Sequence, residues 1–265
     1  SVCQDGTVMA WGNNGNGACG QGFYGNPIDV PTQVLNVTGA IKVAAGDGTS
    51  LALSQDGSVW EWGENGTVTP TQINALSGIT AIACGSSHSI ALKNDGTVWA
   101  WGSNYQGELG DGTNNSSTVP VQVSGLTDII AIDAGGRNNI ALRSNGTVVT
   151  WGRNLYGGLG NGTTIDSNIP VDVTGLTNVT DVCCGSGFSF AKKQDGSVWG
   201  WGYNYEGQMG NGTTIESHVP VDQTALNGMV RVFAGWGHAG GIKADGSVWT
   251  WGHNGTGKLG TGLTS

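Results

Sequence analysis

The sequence predicts an all-β protein, a β-propeller of four-stranded blades, from three observations. The segment Asp95-Gly-Thr-Val-Trp-Ala-Trp-Gly102 recurs at 5–12, 56–63, 145–152, 195–202 and 245–252. Its Trp-Gly pairs begin at 11, 62, 101, 151, 201 and 251, so four of the five spacings are 50 or 51 and one is 39. Self-similarity at such a period marks an array of supersecondary units, each too small to bury its own apolar face. Only 11% of the residues are charged, while 37% are hydrophobic and fall in short runs broken by Gly, Asn, Asp and Thr. That is the composition of many strands joined by tight turns.

Each element of the unit follows from local chemistry. An apolar strand such as 129–134 ends at Gly135 and is followed by a second strand at 140–143. Ser144-Asn145-Gly146 then turns the chain into a third strand, 147–151. Asp-Gly or Asn-Gly at every such turn predicts a two-residue hairpin loop, which needs positive φ. A long loop opens at Asn104 and leads to a fourth strand, 119–123, where Pro120 lacks an amide donor and so marks a sheet edge. The second unit trims this loop, running from Gly63 to Pro70 almost directly into its edge strand.

Six hairpins but five inner strands are legible, the latter near 41–45, 79–84, 129–134, 179–184 and 229–234. The expectation is one propeller domain over 1–265 with six blades; a seven-bladed ring or a fragment of a longer propeller is the alternative. The units span approximately 1–50, 51–89, 90–139, 140–189, 190–239 and an incomplete 240–265.

Composition excludes several functions. The chain carries 10 Lys+Arg against 19 Asp+Glu, net −9, with no basic cluster for a phosphate backbone, so no nucleic-acid partner is expected. No run of 18 apolar residues argues for membrane insertion. The five cysteines (Cys3, Cys19, Cys84, Cys183, Cys184) form no C-x-x-C pair, and the adjacent two are read as small strand residues pointing to opposite faces. No catalytic motif, cofactor signature or metal-ligand set stands out against the repeat, and the chain is read as a non-enzyme. His88 and His238 align and are read as structural, each bonded to backbone.

Function is sought where the units differ. The recurrent Trp11, Trp62, Trp101, Trp151, Trp201 and Trp251 are read as packing elements, as are Asn14, Asn104, Asn154, Asn204 and Asn254 in the long loops. The loops between first and second strands emerge by symmetry on one face. There Trp236, Arg137, Asp47 and Phe188 are the partner-binding candidates, Trp236 being the one aromatic at its position. A second variable surface carries Tyr105, Tyr156, Tyr203 and Tyr205, and Glu64 beside Glu61 predicts an acidic notch where the second unit's loop is trimmed.

Cys84-Gly-Ser-Ser-His88-Ser89, followed by Asp95–Gly102 and the Asn104–Gly110 loop, resembles the regulator-of-chromosome-condensation repeat, and the resemblance covers nearly the whole chain. It implies a propeller, typically of seven blades, whose members range from a guanine-nucleotide exchange factor that binds chromatin to a secreted bacterial inhibitor of β-lactamase. Richness in Asn, Thr and Gly with scarce Lys is closer to a bacterial member, extracellular or at the cell surface, with the cytoplasm as alternative. A protein-binding or inhibitor module is the first expectation. Nucleotide exchange on a small GTPase and a carbohydrate-binding surface are the alternatives.

Overall fold

A computed structural model describes residues 1–64 and 67–264; Asn65 and Gly66, in the trimmed loop, lie outside them. The chain forms β1 (Met9–Asn14), β2 (Gly25–Gln33), β3 (Ala40–Ala45), β4 (Thr49–Ser54), β5 (Val59–Gly63), β6 (Thr67–Gln72), β7 (Ile79–Cys84), β8 (His88–Lys93), β9 (Val98–Gly102), β10 (Ser117–Gln122) and β11 (Ile129–Ala134). It continues with β12 (Asn138–Arg143), β13 (Val148–Gly152), β14 (Ser167–Asp172), β15 (Val179–Cys184), β16 (Phe188–Lys193), β17 (Val198–Gly202), β18 (Ser217–Asp222), β19 (Met229–Ala234), β20 (His238–Lys243) and β21 (Val248–Gly252).

Consecutive antiparallel strands build four-stranded sheets β3–β6, β7–β10, β11–β14 and β15–β18, and a three-stranded sheet β19–β21. These are the blades of a propeller, and there are five, not six. Each begins with an inner strand, and inner strands neighbour one another in the order β3, β7, β11, β15, β19. In the first unit the Asp5-Gly6 hairpin is reduced to the bridge Val2–Val8, and β1 pairs with the outer strand β2 in a two-stranded sheet without an inner strand. Counting hairpins therefore overstates the blades by one.

The turns are wider than expected. Lys93 N–H bonds to Thr97 C=O, leaving Asn94, Asp95 and Gly96 in the loop. Gly96 alone takes positive φ, +80°, while the Asp95 carboxylate accepts from the Thr97 amide (3.0 Å) and hydroxyl. Asp thus serves as an acceptor and Gly as the left-handed residue, the three-residue hairpin rather than the two-residue one.

The two most repeated motifs meet across blade boundaries. In the long loop the Asn104 amide donates to the Thr113 and Asn115 carbonyls (3.1 and 3.0 Å) and its Oδ1 accepts from Leu109 N–H (2.8 Å); Asn154 and Asn204 repeat the pattern. The loop so tied offers a carbonyl to the next unit's tryptophan: Trp62 Nε1 donates to Ala18 O, Trp151 to Glu108 O, Trp201 to Gly158 O and Trp251 to Gln208 O, all at 2.7–2.9 Å. A Cβ on Gly110 would sit 2.8 Å from Trp151 Cδ1, so glycine is required where the ring lies on the loop.

This latch accounts for both exceptions. Trp11 has no such loop ahead of it within these residues and is 52% exposed, contrary to the packing role expected of it, whereas Trp62, Trp101, Trp151 and Trp201 are buried. Trp101 follows the trimmed loop and donates instead to Glu61 Oε1 at 2.8 Å. Burial raises the Glu61 carboxyl, the Trp101 bond opposing and Glu64 adding to the rise. Glu61→Ala strands a buried indole N–H and is expected to cost about 1–3 kcal/mol in denaturant unfolding, whereas Glu61→Gln retains an acceptor. Equal losses in both variants would refute the latch.

Cys183 and Cys184 are buried on opposite faces of β15, Cys183 with Phe188 and Met229, Cys184 with Ile140 and Trp201. All five cysteines are free. Among the described residues no helix is long and apolar enough to cross a membrane.

Candidate functional site

The loops leading into β4, β8, β12, β16 and β20 gather at one end of the axis. A glycine opens each loop, and together these glycines form a collar: a methyl group on Gly85 or Gly185 would lie 2.7 Å from the carbonyl oxygen of Gly135 or Gly235, and one on Gly46 or Gly135 would collide with that of Gly85 or Gly185. The inner strands can approach this closely only with glycine at the contact.

Above the collar lies a cleft of about 450 Å³ lined by Asp47, Arg137, Arg153, Leu155, Tyr156 and Trp236, with Ser86 and Ser186 between them. Four of the sequence-predicted residues therefore converge: Trp236, 61% exposed, with exposed Arg137 and Asp47 and half-buried Tyr156. Arg137 Nη1 donates to Gln106 Oε1 at 2.8 Å, and Gln106 N–H donates to Glu108 Oε2, also at 2.8 Å. Burial raises the Glu108 carboxyl, bonds from its own and the Gln106 backbone amides and the charge of Arg137 opposing. The Arg137 fork is positioned from below and leaves donors free for a partner.

Tyr156 joins this cleft to the second predicted surface. Its ring lies 4.6 Å from that of Tyr203 and 6.1 Å from that of Tyr205, while Tyr203 and Tyr205 are 5.1 Å apart. Tyr105, though 76% exposed, has no ring in this cluster.

Two predicted contacts are corrected. Phe188 is fully buried against Phe190 and offers no surface. It opens β16, where the pleat turns the side chain inward as it does for His88 and Asn138 at the same register. Glu64 Oε2 accepts from Thr49 Oγ1 (3.2 Å), and the space beside Glu61 and Glu64 is about 30 Å³, room for a water and no side chain.

His88 is structural, but its Nε2 meets the Asn139 side chain (2.8 Å) rather than backbone; burial lowers it to about 4 and keeps it neutral. Among the described residues no group of three or more His, Cys, Asp or Glu could hold a metal ion.

Sequence reasoning missed Arg153. It follows a Trp-Gly pair where the other units carry Asn13, Glu64, Ser103, Tyr203 and His253, a position that differs in every unit and so was a usable signal.

The geometry defines a repeat-built propeller with a cationic and aromatic cleft over its axis. Residues 65–265 match the RCC1-like domain and residues 5–53 the regulator of chromosome condensation (RCC1) repeat, and the chain belongs to this family. A 67-residue stretch is 39% identical to the human probable E3 ubiquitin-protein ligase HERC6, covering 24% of this chain and only 7% of that protein's length.

Among solved structures, human WBSCR16 superposes with a TM-score of 0.85 at 23% identity, over 100% of this chain and 76% of that one. Yeast RCC1 (Prp20), solved bound to Kap60, gives 0.83 at 22% identity over 98% and 69%. A second Saccharomyces cerevisiae Prp20p structure, described with that protein's binding to Gsp1p and histones, gives 0.83 at 22% identity over 99% and 71%. At these identities the likeness is one of fold.

Proposed function

We propose that this chain is a protein-binding propeller that receives an acidic, apolar-tipped segment of its partner in the cleft above the collar. One observation carries the reading: two of the four arginines of a chain with net charge −9 stand in the cleft that also exposes Trp236, Leu155 and Tyr156. Arginine forks match partner carboxylates, and exposed aromatics beside them supply the apolar anchor usual at the centre of an interface. The family's Prp20p, described with its binding to Gsp1p and histones, lends the reading support at the level of the fold.

The test is affinity capture of the native partner by the chain and by Trp236→Ala and Arg137→Ala. Each substitution is expected to weaken binding by about 2 kcal/mol, some 30-fold, because each removes a central contact. Circular dichroism should be unchanged, both side chains being exposed. Undiminished capture by both variants would eliminate this cleft. Accelerated release of labelled nucleotide from a captured small GTPase would assign nucleotide exchange instead, and retention on a glycan array a carbohydrate surface.

A further inference from the structure

Arg137 and Arg153 stand directly opposite each other on the third blade. Arg137 immediately precedes β12 and Arg153 immediately follows β13, so the two continue the ladder beyond the facing pair Asn138 and Gly152, and Arg153 N–H donates to Arg137 O at 2.8 Å. Facing residues of an antiparallel pair project to the same side with their Cβ atoms about 5 Å apart, where like charges repel. The same backbone bond recurs in the other four blades, from Glu64 to Gly48, Ser103 to Ser87, Tyr203 to Gly187 and His253 to Gly237. None of those pairs sets two cations against each other.

Nothing within the chain neutralises the arginine pair. Among the described residues neither guanidinium lies within 4.0 Å of a carboxylate, and the half-buried Arg153 side chain makes no hydrogen bond, whereas Arg143 is paired with Asp172 at 2.6 Å. Asp47, the one carboxylate lining the cleft, belongs to the first blade. Ser86 and Ser186 line the same cleft, and their hydroxyls donate to no other described residue. A carboxylate brings one charge and two oxygens, enough for one guanidinium fork. Two facing forks with hydroxyl donors nearby match a group that carries two charges and three free oxygens.

Resting on the protein-binding reading above, we propose that the segment received by the cleft carries a phosphate monoester, a phosphorylated side chain gripped between Arg137 and Arg153, with its apolar neighbour against Trp236. A chain of net charge −9 keeps two adjoining cations where its sister blades have none, and a dianion converts their repulsion into binding.

The test is calorimetric titration of the 265-residue chain with acetyl-Gly-Leu-phosphoserine-Leu-Gly-amide, with the same peptide carrying serine or glutamate at its centre, and with inorganic phosphate. Saturable one-site binding of the phosphopeptide is expected, about tenfold or more tighter than the glutamate peptide and than inorganic phosphate, the effect of one further charge-assisted contact. Arg153→Ser installs the side chain of the sister residue Ser103; it should bring the phosphopeptide to the level of the glutamate peptide without lowering Tm, because it relieves the repulsion between facing cations. No saturable binding of the phosphopeptide, equal binding of the glutamate peptide or of inorganic phosphate, or binding indifferent to Arg153→Ser would overturn the proposal. Equal binding of the two acidic peptides would leave the acidic-segment reading standing; that reading fails separately, through undiminished capture by Trp236→Ala and Arg137→Ala.

Discussion

Trp151→Ala is expected to destabilise the chain by about 3–5 kcal/mol, whereas Trp11→Ala should change stability by less than about 0.5 kcal/mol. The two tryptophans occupy the same place in the repeat, so composition gives no reason for a difference. Trp151 is fully buried and packs with Leu109 and Val123 of the preceding blade. Its indole donates to Glu108 O at 2.9 Å, and Gly110 lies against its ring. Truncation opens a cavity between two blades and removes one of the two donors to Glu108 O, leaving the Asn139 amide. Trp11 is half exposed and makes no such contact. Urea unfolding of the two variants is the check, and similar losses would show that the tryptophan stabilises its own hairpin and not the blade boundary.

The latch also explains why the fold could be read from the sequence while its count could not. Each Asp-Gly-x-Val-x-x-Trp-Gly hairpin is self-contained, its turn stabilised by its own Asp and Gly, so six are visible without any knowledge of packing. A blade is complete only where an inner strand accompanies the hairpin, and within residues 1–265 five hairpins have one. The inner-strand positions read from the sequence agree with the structure within one residue, because apolar runs ending in glycine mark them.

At the site, Trp236, Arg137 and Asp47 were found as departures from the repeat at loop positions whose side chains point outward. Phe188 aligns with the structural His88 and not with the exposed loop residues. Both begin a second strand, and the pleat buries the first side chain of that strand. The surroundings of Asp133 stayed hidden for a different reason. Alternation along β11 separates two faces but does not say what each one meets, and only the assembled blades bring Asp133 under the influence of the Lys42 charge.

Asp133 sets a stability cost that can be measured without any ligand. Burial pushes its carboxyl from the ordinary 3.8 up to about 6, and the amides of Cys184 and Ala134 and the charge of Lys42 offset only part of the rise. A carboxyl with a higher pKa in the folded chain holds its proton more tightly there. Its contribution is therefore fully present below about pH 4 and is lost as pH rises through 6, a loss of roughly 3 kcal/mol by pH 7.5.

Asp133→Asn keeps an acceptor for the Cys184 amide and removes the charge. The variant should match the wild type near pH 4 and exceed it by roughly 3 kcal/mol at pH 7.5, a rise of several degrees in Tm. The hairpin aspartates titrate oppositely, since bonds from Thr97 or Ser197 lower Asp95 and Asp195, but they are common to both proteins and cancel in the difference. Equal stability at pH 7.5 would mean that water solvates the carboxylate fully. A difference that opens between pH 4 and 7 would show that the third blade carries a costly charge where the first and second have Ala44 and Ala83.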